Sequence, residues 1–313
     1  MDISIQTGSI LYEYGFEKGA KMLREAGFDA VDWNLNRALP VNVLSSAKEL
    51  HDLCIFEKPL DDVLKHFEAE LKALRDNGLK ISQAHAPFPA YFPGREDILD
   101  YCISIYHRVI EFCDAIGCKY VVIHGISGSI SEENKPYEYY KELNLKLCRS
   151  LIPTLQKTNV TVCLENLYKS NKQIYCANDF FEGTCCDPYE AIEYIDTLNG
   201  EAGKECFGIC LDIGHLHLIR KRPSVYILAL GKRIKCLHLH DNDAKGDEHL
   251  MPYTGTVLWN DFLDAMNKIG YDGDLSFETF SQTRASYLPE ELLPVFLETI
   301  RKTGEYFRTK IES

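Results

Sequence analysis

The chain has 313 residues, 45% hydrophobic and 26% charged, a composition ordinary for a globular protein with a sizeable core. Its net charge of -13 argues against a large footprint on nucleic acid, which needs clustered Lys and Arg, and no apolar run is long enough to cross a bilayer. The opening Met1-Asp2-Ile3-Ser4-Ile5 shows no basic segment ahead of an apolar run, so no signal peptide is expected. The twelve cysteines then read as reduced thiols of a cytoplasmic protein.

Strand-like and helix-like runs alternate almost throughout. Ile3 to Gln6 predicts a first strand, and Glu17 to Glu25 a helix stopped near Gly27. Asp29 to Trp33 predicts a second strand, followed by a loop-rich segment to about Pro59 and a helix to Arg75. Leu79 to Ala84 reads as the third strand and Glu96 to Ala115 as a long helix. Tyr120 to Ile123 reads as the fourth strand, with a helix over Tyr137 to Leu155. Val160 to Leu164 is the fifth strand, and a polar loop is expected over Lys169 to Cys186. Asp187-Pro188 opens a helix, Asp as N-cap and Pro at the first helical position. Phe207 to Leu211 and Ile234 to Leu237 are the sixth and seventh strands. A helix over Trp259 to Lys268, an eighth strand at Leu275 to Phe277 and a helix over Pro289 to Tyr306 complete the chain.

About eight strand-helix units of this length predict an α/β fold, a (β/α)8 barrel. No linker rich in Gly, Pro or Ser divides the chain, so residues 1–313 read as one domain. An open doubly wound sheet would want a Gly-rich turn after the first strand, and none is present.

The ends of the later strands form a series. The third ends at His85, the fourth at His124, the fifth at Glu165, and the sixth at Asp212 with His215 one turn on. The seventh ends at His238 with His240 beside it, the eighth at Glu278, and Asp247-Glu248-His249 follows the seventh. In parallel α/β proteins functional groups sit just past the carboxyl ends of strands. Any one of these residues has an ordinary structural reading: a loop hydrogen-bonder, a helix cap, or an ion-pair partner. Six successive strands ending in His, His, Glu, Asp, His and Glu point instead to a divalent metal. The donor set suits Zn or Mn best, with Co and Mg also compatible. A set without Cys suits a catalytic site with open positions. His51, His66 and His107 fit no such position.

On Leu164-Glu165-Asn166, Leu211-Asp212-Ile213-Gly214-His215 and Asp247-Glu248-His249, the chain resembles the xylose isomerase-like barrel superfamily. That group holds sugar isomerases and epimerases, inosose-processing enzymes and apurinic endonucleases. The resemblance implies one metal on Glu165, Asp212, His238 and Glu278, with His215 binding substrate. In the endonuclease branch it implies additional metal ligands at positions matching His85, His124, His215, Asp247 and His249. Three departures stand out. Gln6-Thr7-Gly8-Ser9 replaces the endonucleases' Gly-His-x-Ser. Tyr253-Thr254-Gly255 lacks the first Gly of a Gly-x-Gly, which should narrow the pocket or reshape that loop. Ala244 stands where ketose epimerases have Arg.

The resemblance implies a metal-dependent sugar or sugar-phosphate isomerase or epimerase. The metal would act as a Lewis acid on a carbonyl and its neighbouring hydroxyl, stabilising an enediolate. Glu165 and Glu278 would be the catalytic bases, and His215, His85, His124 and Trp33 would contact substrate, with Phe88 beside Trp33 as an apolar wall. The partner is a sugar or polyol rather than nucleic acid or membrane, and a homo-oligomer is compatible with the sequence. The alternative is a zinc-dependent phosphodiester hydrolase of the apurinic endonuclease kind.

Overall fold

The computed structural model describes residues 1–128, 135–170 and 180–313. Its strands are β1 (Ile3–Gln6), β2 (Ala30–Asn34), β3 (Lys80–His85), β4 (Tyr120–His124), β5 (Thr161–Glu165), β6 (Tyr168–Ser170), β7 (Phe180–Glu182), β8 (Phe207–Asp212), β9 (Ile234–His238) and β10 (Leu275–Phe277). The predicted strands all form. β3, β4, β5, β8 and β9 each run one residue past the predicted end and so take in His85, His124, Glu165, Asp212 and His238. Those side chains therefore stand on strand backbone rather than on loops.

The chain divides into two compact units. The first comprises Met1–Trp33, Glu68–Ser82 and Cys210–Ser313. Here β1 pairs in parallel with β10 (Ile3↔Leu275, Ile5↔Phe277) and with β2 (Ser4↔Ala30, Gln6↔Asp32). Leu239, just past β9, bridges Phe277 in parallel, its N–H 2.8 Å from the Ser276 carbonyl. β1 and β10 are buried throughout, as expected of parallel strands covered on both faces. The helix Phe16–Ala26 ends at Gly27, whose φ of 93° is the left-handed cap that glycine adopts without a Cβ clash. It packs on the helices Glu68–Asp76 and Leu293–Ile311. Trp259, Phe262, Phe277 and Phe307 make an aromatic core, with Trp259 and Phe307 ring centroids 5.1 Å apart. Burying each such ring contributes about 1.5–3 kcal/mol.

The second unit comprises Asn34–Phe67 and Gln83–Ile209. β4 and β5 pair in parallel from Tyr120↔Thr161 to His124↔Glu165, and the end of β3 joins them at His85↔Val122. The helices Glu96–Ala115 and Tyr137–Leu155 match the predicted bounds, and the first buries Ile98, Cys102, Tyr106, Val109 and Cys113 at helical spacing. Asp187 caps the helix Pro188–Ala202 as expected, its Oδ1 accepting from the N–H groups of Tyr189 and Glu190.

Three predicted segments differ in form. The helix expected to Arg75 is two helices, Leu60–His66 and Glu68–Asp76. Phe67 breaks it, buried with its ring 5.8 Å from Phe56 and 5.2 Å from Phe112. Packing overrides local propensity there. The expected polar loop Lys169–Cys186 contains part of an antiparallel ribbon, in which Tyr168 faces Glu182 and Ser170 faces Phe180. The rest of that loop, 171–179, lies outside the described residues. The last helix runs Leu293–Ile311 behind a short turn at Glu290–Leu292. Every cysteine among the described residues is buried, including Cys113, Cys163, Cys210 and Cys236. No helix among them is long and apolar enough to cross a membrane.

Candidate metal centre

In the first unit the chemistry gathers around β8, β9 and the segment after them. Asp212 ends β8 and caps the helix Ile213–Leu218, its Oδ1 accepting from the His215 N–H at 2.7 Å. The cap fixes the carboxylate and sets His215 one turn on, its Nδ1 3.6 Å from Asp212 Oδ2. His238 ends β9 with 1% side-chain exposure. Its Nε2 lies 3.2 Å from Asp32 Oδ2 and 3.6 Å from Glu278 Oε1, and its Nδ1 lies 3.9 Å from Asp212 Oδ2. Asp32, His238 and Glu278 bring one donor atom each within 4.8 Å of one another, spacing that a metal ion can bridge.

A second group stands beside it. His240 Nε2 is hydrogen-bonded to Asp212 Oδ2 at 3.1 Å, and its ring stacks on His249 at 4.0 Å. Asp247 Oδ2 lies 3.3 Å from His249 Nε2 and 3.6 Å from His215 Nε2. Burial works to raise the Asp247 carboxyl, but hydrogen bonds and charge from His215 and His249 hold it well below its ordinary range. Burial likewise works to lower His249, and Asp247 outweighs it, with Glu278 and Asp212 adding to the rise. Gly214 is the residue that admits His240, because a Cβ there would meet the ring's Cε1 at 2.0 Å.

The segment that carries Asp247 and His249 is tied by Asp241. This fully buried carboxylate accepts from the N–H groups of Asn242, Tyr253 and Val257 and from the Trp259 indole, at 2.8–3.0 Å. Gly255 lets that turn close, since a Cβ would sit 2.4 Å from Asp241 Oδ1. Ala244, His249 and Tyr253 have φ of 63°, 48° and 70°, conformations that cost an L-residue of order 1–2 kcal/mol. Tyr253 thus takes a glycine-like backbone, and its half-exposed ring lies against Trp259, Tyr306 and Phe307.

The second unit holds its own cluster. His85 Nε2 and His124 Nε2 approach the same Glu165 oxygen, Oε2, at 3.2 and 3.1 Å. The His124↔Glu165 strand register sets the second of these pairs. His85 Nδ1 is hydrogen-bonded to the Ala86 carbonyl at 2.9 Å, and Phe88 lies against His124 with ring centroids 4.0 Å apart. These three also bring their donor atoms within 4.8 Å.

The strand-end residues of each unit are thus brought together within that unit. Trp33 shows no exposed surface; it is packed rather than presented to a ligand. His51 is exposed beside Glu49, His66 packs edge-on to Phe67, and His107 Nδ1 is 2.7 Å from Thr154 Oγ1, so none joins a cluster. Sequence reasoning missed Asp32 and gave Asp241 no role. The His-x-x-Asp spacing from His238 was the available signal for Asp241.

Imidazole nitrogens and carboxylate oxygens at these spacings fit a divalent metal ion. Asp32, Asp212, Asp247 and Glu278 surround the histidines of the first unit, and a dication offsets the mutual repulsion of carboxylates.

Comparison with known proteins gives the family and the fold. A family model described as a xylose isomerase-like TIM barrel matches residues 20–302. Inosose isomerase from Bacillus velezensis is 22% identical over 212 residues, 66% of this chain and 69% of that protein. A D-tagatose 3-epimerase-like crystal structure matches 99% of this chain and 100% of its own, at 20% identity and a TM-score of 0.68. The IOLI protein with a bound zinc atom matches 99% of this chain and 98% of its own, at 19% identity and a TM-score of 0.65. The fold is therefore the predicted (β/α)8 barrel.

Proposed function

Because the chain belongs to the xylose isomerase-like TIM-barrel family, we propose that it is a metal-dependent sugar or sugar-phosphate isomerase or epimerase. The observation that carries this reading is His238, buried at the end of β9 within 3.2–3.9 Å of Asp32, Glu278 and Asp212. The epimerases and inosose isomerase among its relatives support the substrate class.

In this reading Glu165, Asp212, His238 and Glu278 hold the ion, as the strand-end series and the family pattern assign them. A bound divalent ion supplies Lewis-acid stabilisation of negative charge beside a carbonyl. The chain's own residues do the rest. Glu165 and Glu278 remove and return the proton on the carbon next to that carbonyl, one from each face. His215, oriented by the Asp212 cap, binds a substrate oxygen, and His85 and His124 are assigned to substrate contact as the family pattern implies. Residues 1–313 act as one domain, in the cytoplasm, on a sugar or polyol.

The test has two steps. Protein purified without chelator is assayed for bound metal, with about one ion per chain expected. It is then incubated with a panel of ketoses and ketose phosphates in deuterated water, where deuterium is expected at the carbon beside the carbonyl of one of them. Metal-free protein that neither takes up Zn or Mn nor labels any sugar overturns the reading.

One observation favours the apurinic endonuclease reading. Two imidazoles share Glu165 Oε2, and His215, Asp247 and His249 form a further group. Cleavage of abasic duplex DNA by the zinc-loaded protein would establish it in place of the first.

A further inference from the structure

Asp32 is a wholly buried carboxylate on β2, a place where burial is costly unless partners compensate. Its backbone is fixed by the β1 ladder: Gln6 pairs with Asp32, and the Thr7 N–H donates to the Asp32 carbonyl at 2.9 Å. Strand alternation turns its side chain away from the face taken by Val31 and Trp33. Ser276, on β10, donates its hydroxyl to Asp32 Oδ2 at 3.3 Å. The same Oδ2 lies 3.2 Å from His238 Nε2, an ion-pair distance, and Glu278 Oε1 lies 3.6 Å from that nitrogen. The other ring nitrogen, Nδ1, is turned toward Asp212.

A metal-binding histidine has one nitrogen for the ion and one N–H to place. A carboxylate that accepts that N–H fixes the tautomer and ring angle and makes the ligand more basic. We propose that Asp32 is the positioning residue of His238: it accepts the Nε2–H and leaves Nδ1 for the metal. This rests on the metal-dependent reading above. Asp32 does not touch substrate and acts only through His238. Ser276 sits behind it, holding Oδ2 in place from a third strand. The arrangement draws on β2, β9 and β10, so each member stands on rigid backbone, as a site held to narrow tolerances requires.

Zinc affinity is measured by competition with a chromophoric chelator on the full chain, for wild type and Asp32→Asn. Thermal unfolding of both metal-free proteins is recorded beside it. The expected result is a loss of about 10- to 100-fold in affinity, with the metal-free Asn variant melting at or above wild type because a buried charge is gone. Affinity within about threefold of wild type overturns the proposal, as does a melting temperature that falls in parallel with affinity, which is what a purely structural role gives. Complete loss of binding together with a changed visible spectrum of the cobalt-loaded protein makes Asp32 a ligand itself and also overturns it. A second measurement needs neither metal nor a variant. Long-range proton–nitrogen NMR of the metal-free wild type reads the His238 tautomer. Protonation at Nε2 is expected, and protonation at Nδ1 overturns the pairing. Wild type that binds no metal yet keeps the Nε2 proton fails the isomerase reading and leaves the Asp32–His238 pairing standing.

Discussion

The two clusters are built in opposite ways. In the second unit, His85, His124 and Glu165 are three side chains on three neighbouring strands, and the strand ladder alone brings His124 and Glu165 side by side. In the first unit, His238 and Asp212 also end strands, but Asp247 and His249 ride on an irregular segment with left-handed residues. That segment needs Asp241 to gather four donors, Gly255 to close the turn and Gly214 to admit His240. A ladder places ligands through backbone hydrogen bonds that any sequence supplies. A loop must hold its ligands with side chains chosen for the purpose, and stores strain in doing so. Residues that never meet the ligand should therefore matter more in the first unit than in the second.

The largest effect expected is on activity. Glu165→Gln and Glu278→Gln should each lower turnover of the labelled ketose about 100- to 10,000-fold even when excess metal restores occupancy, the usual cost of removing a general base. At least one of them should still exchange the carbon-bound hydrogen from a single epimer in deuterated water. Full epimerisation by metal-loaded Glu278→Gln would leave that residue a ligand only.

Stability separates the regions next. Asp241→Ala strands several buried donors and should lower the unfolding free energy by about 3 kcal/mol in urea denaturation. Glu165→Gln should leave the metal-free protein within about 1 kcal/mol of wild type, because its strand pairing is untouched. Equal losses for the two would break the comparison. Gly214→Ala should cost about 2 kcal/mol by crowding the His240 ring. Pairing it with His240→Ala should recover most of that loss, and a cycle with no such coupling would show that the two are independent.

The smallest effect is in the pH dependence of the Asp247–His249 pair. Asp247 is held below its unfolded value, so its contribution is present above about pH 4 and lost as pH falls further. His249 is raised, so its contribution is complete below about pH 6.5 and lost as pH climbs through the raised value. For metal-free protein, the stability advantage of wild type over Asp247→Asn should be about 1–2 kcal/mol between these limits and shrink toward pH 9. A flat difference from pH 5 to pH 9 would remove the pair from the ordering of this segment.

Local pattern was enough to mark the strand series and where each strand delivers its chemistry. Short apolar runs bounded by polar residues mark strands directly, and a ligand at a run's end is visible as a break in composition, as at His85, His124, Glu165, Asp212 and His238. It also determined the Asp187 cap and the helix Glu96–Ala115, which depend on neighbours three or four residues apart. The rest depends on contacts between distant parts of the chain. Asp32 reads as one polar residue in an apolar strand until β9 and β10 bring His238 and Ser276 against it. Phe67 looks helical until Phe56 and Phe112 give its ring a place to pack. The His-x-x-Asp spacing sets His238 apart from His240 in the sequence, but what surrounds each ring is visible only in the fold. The first faces Asp32 and Glu278, and the second lies over Gly214 against His249. The physical reason is common to all three. Periodicity and caps are local, whereas a buried polar or aromatic side chain takes its role from partners that only folding brings within a few ångströms.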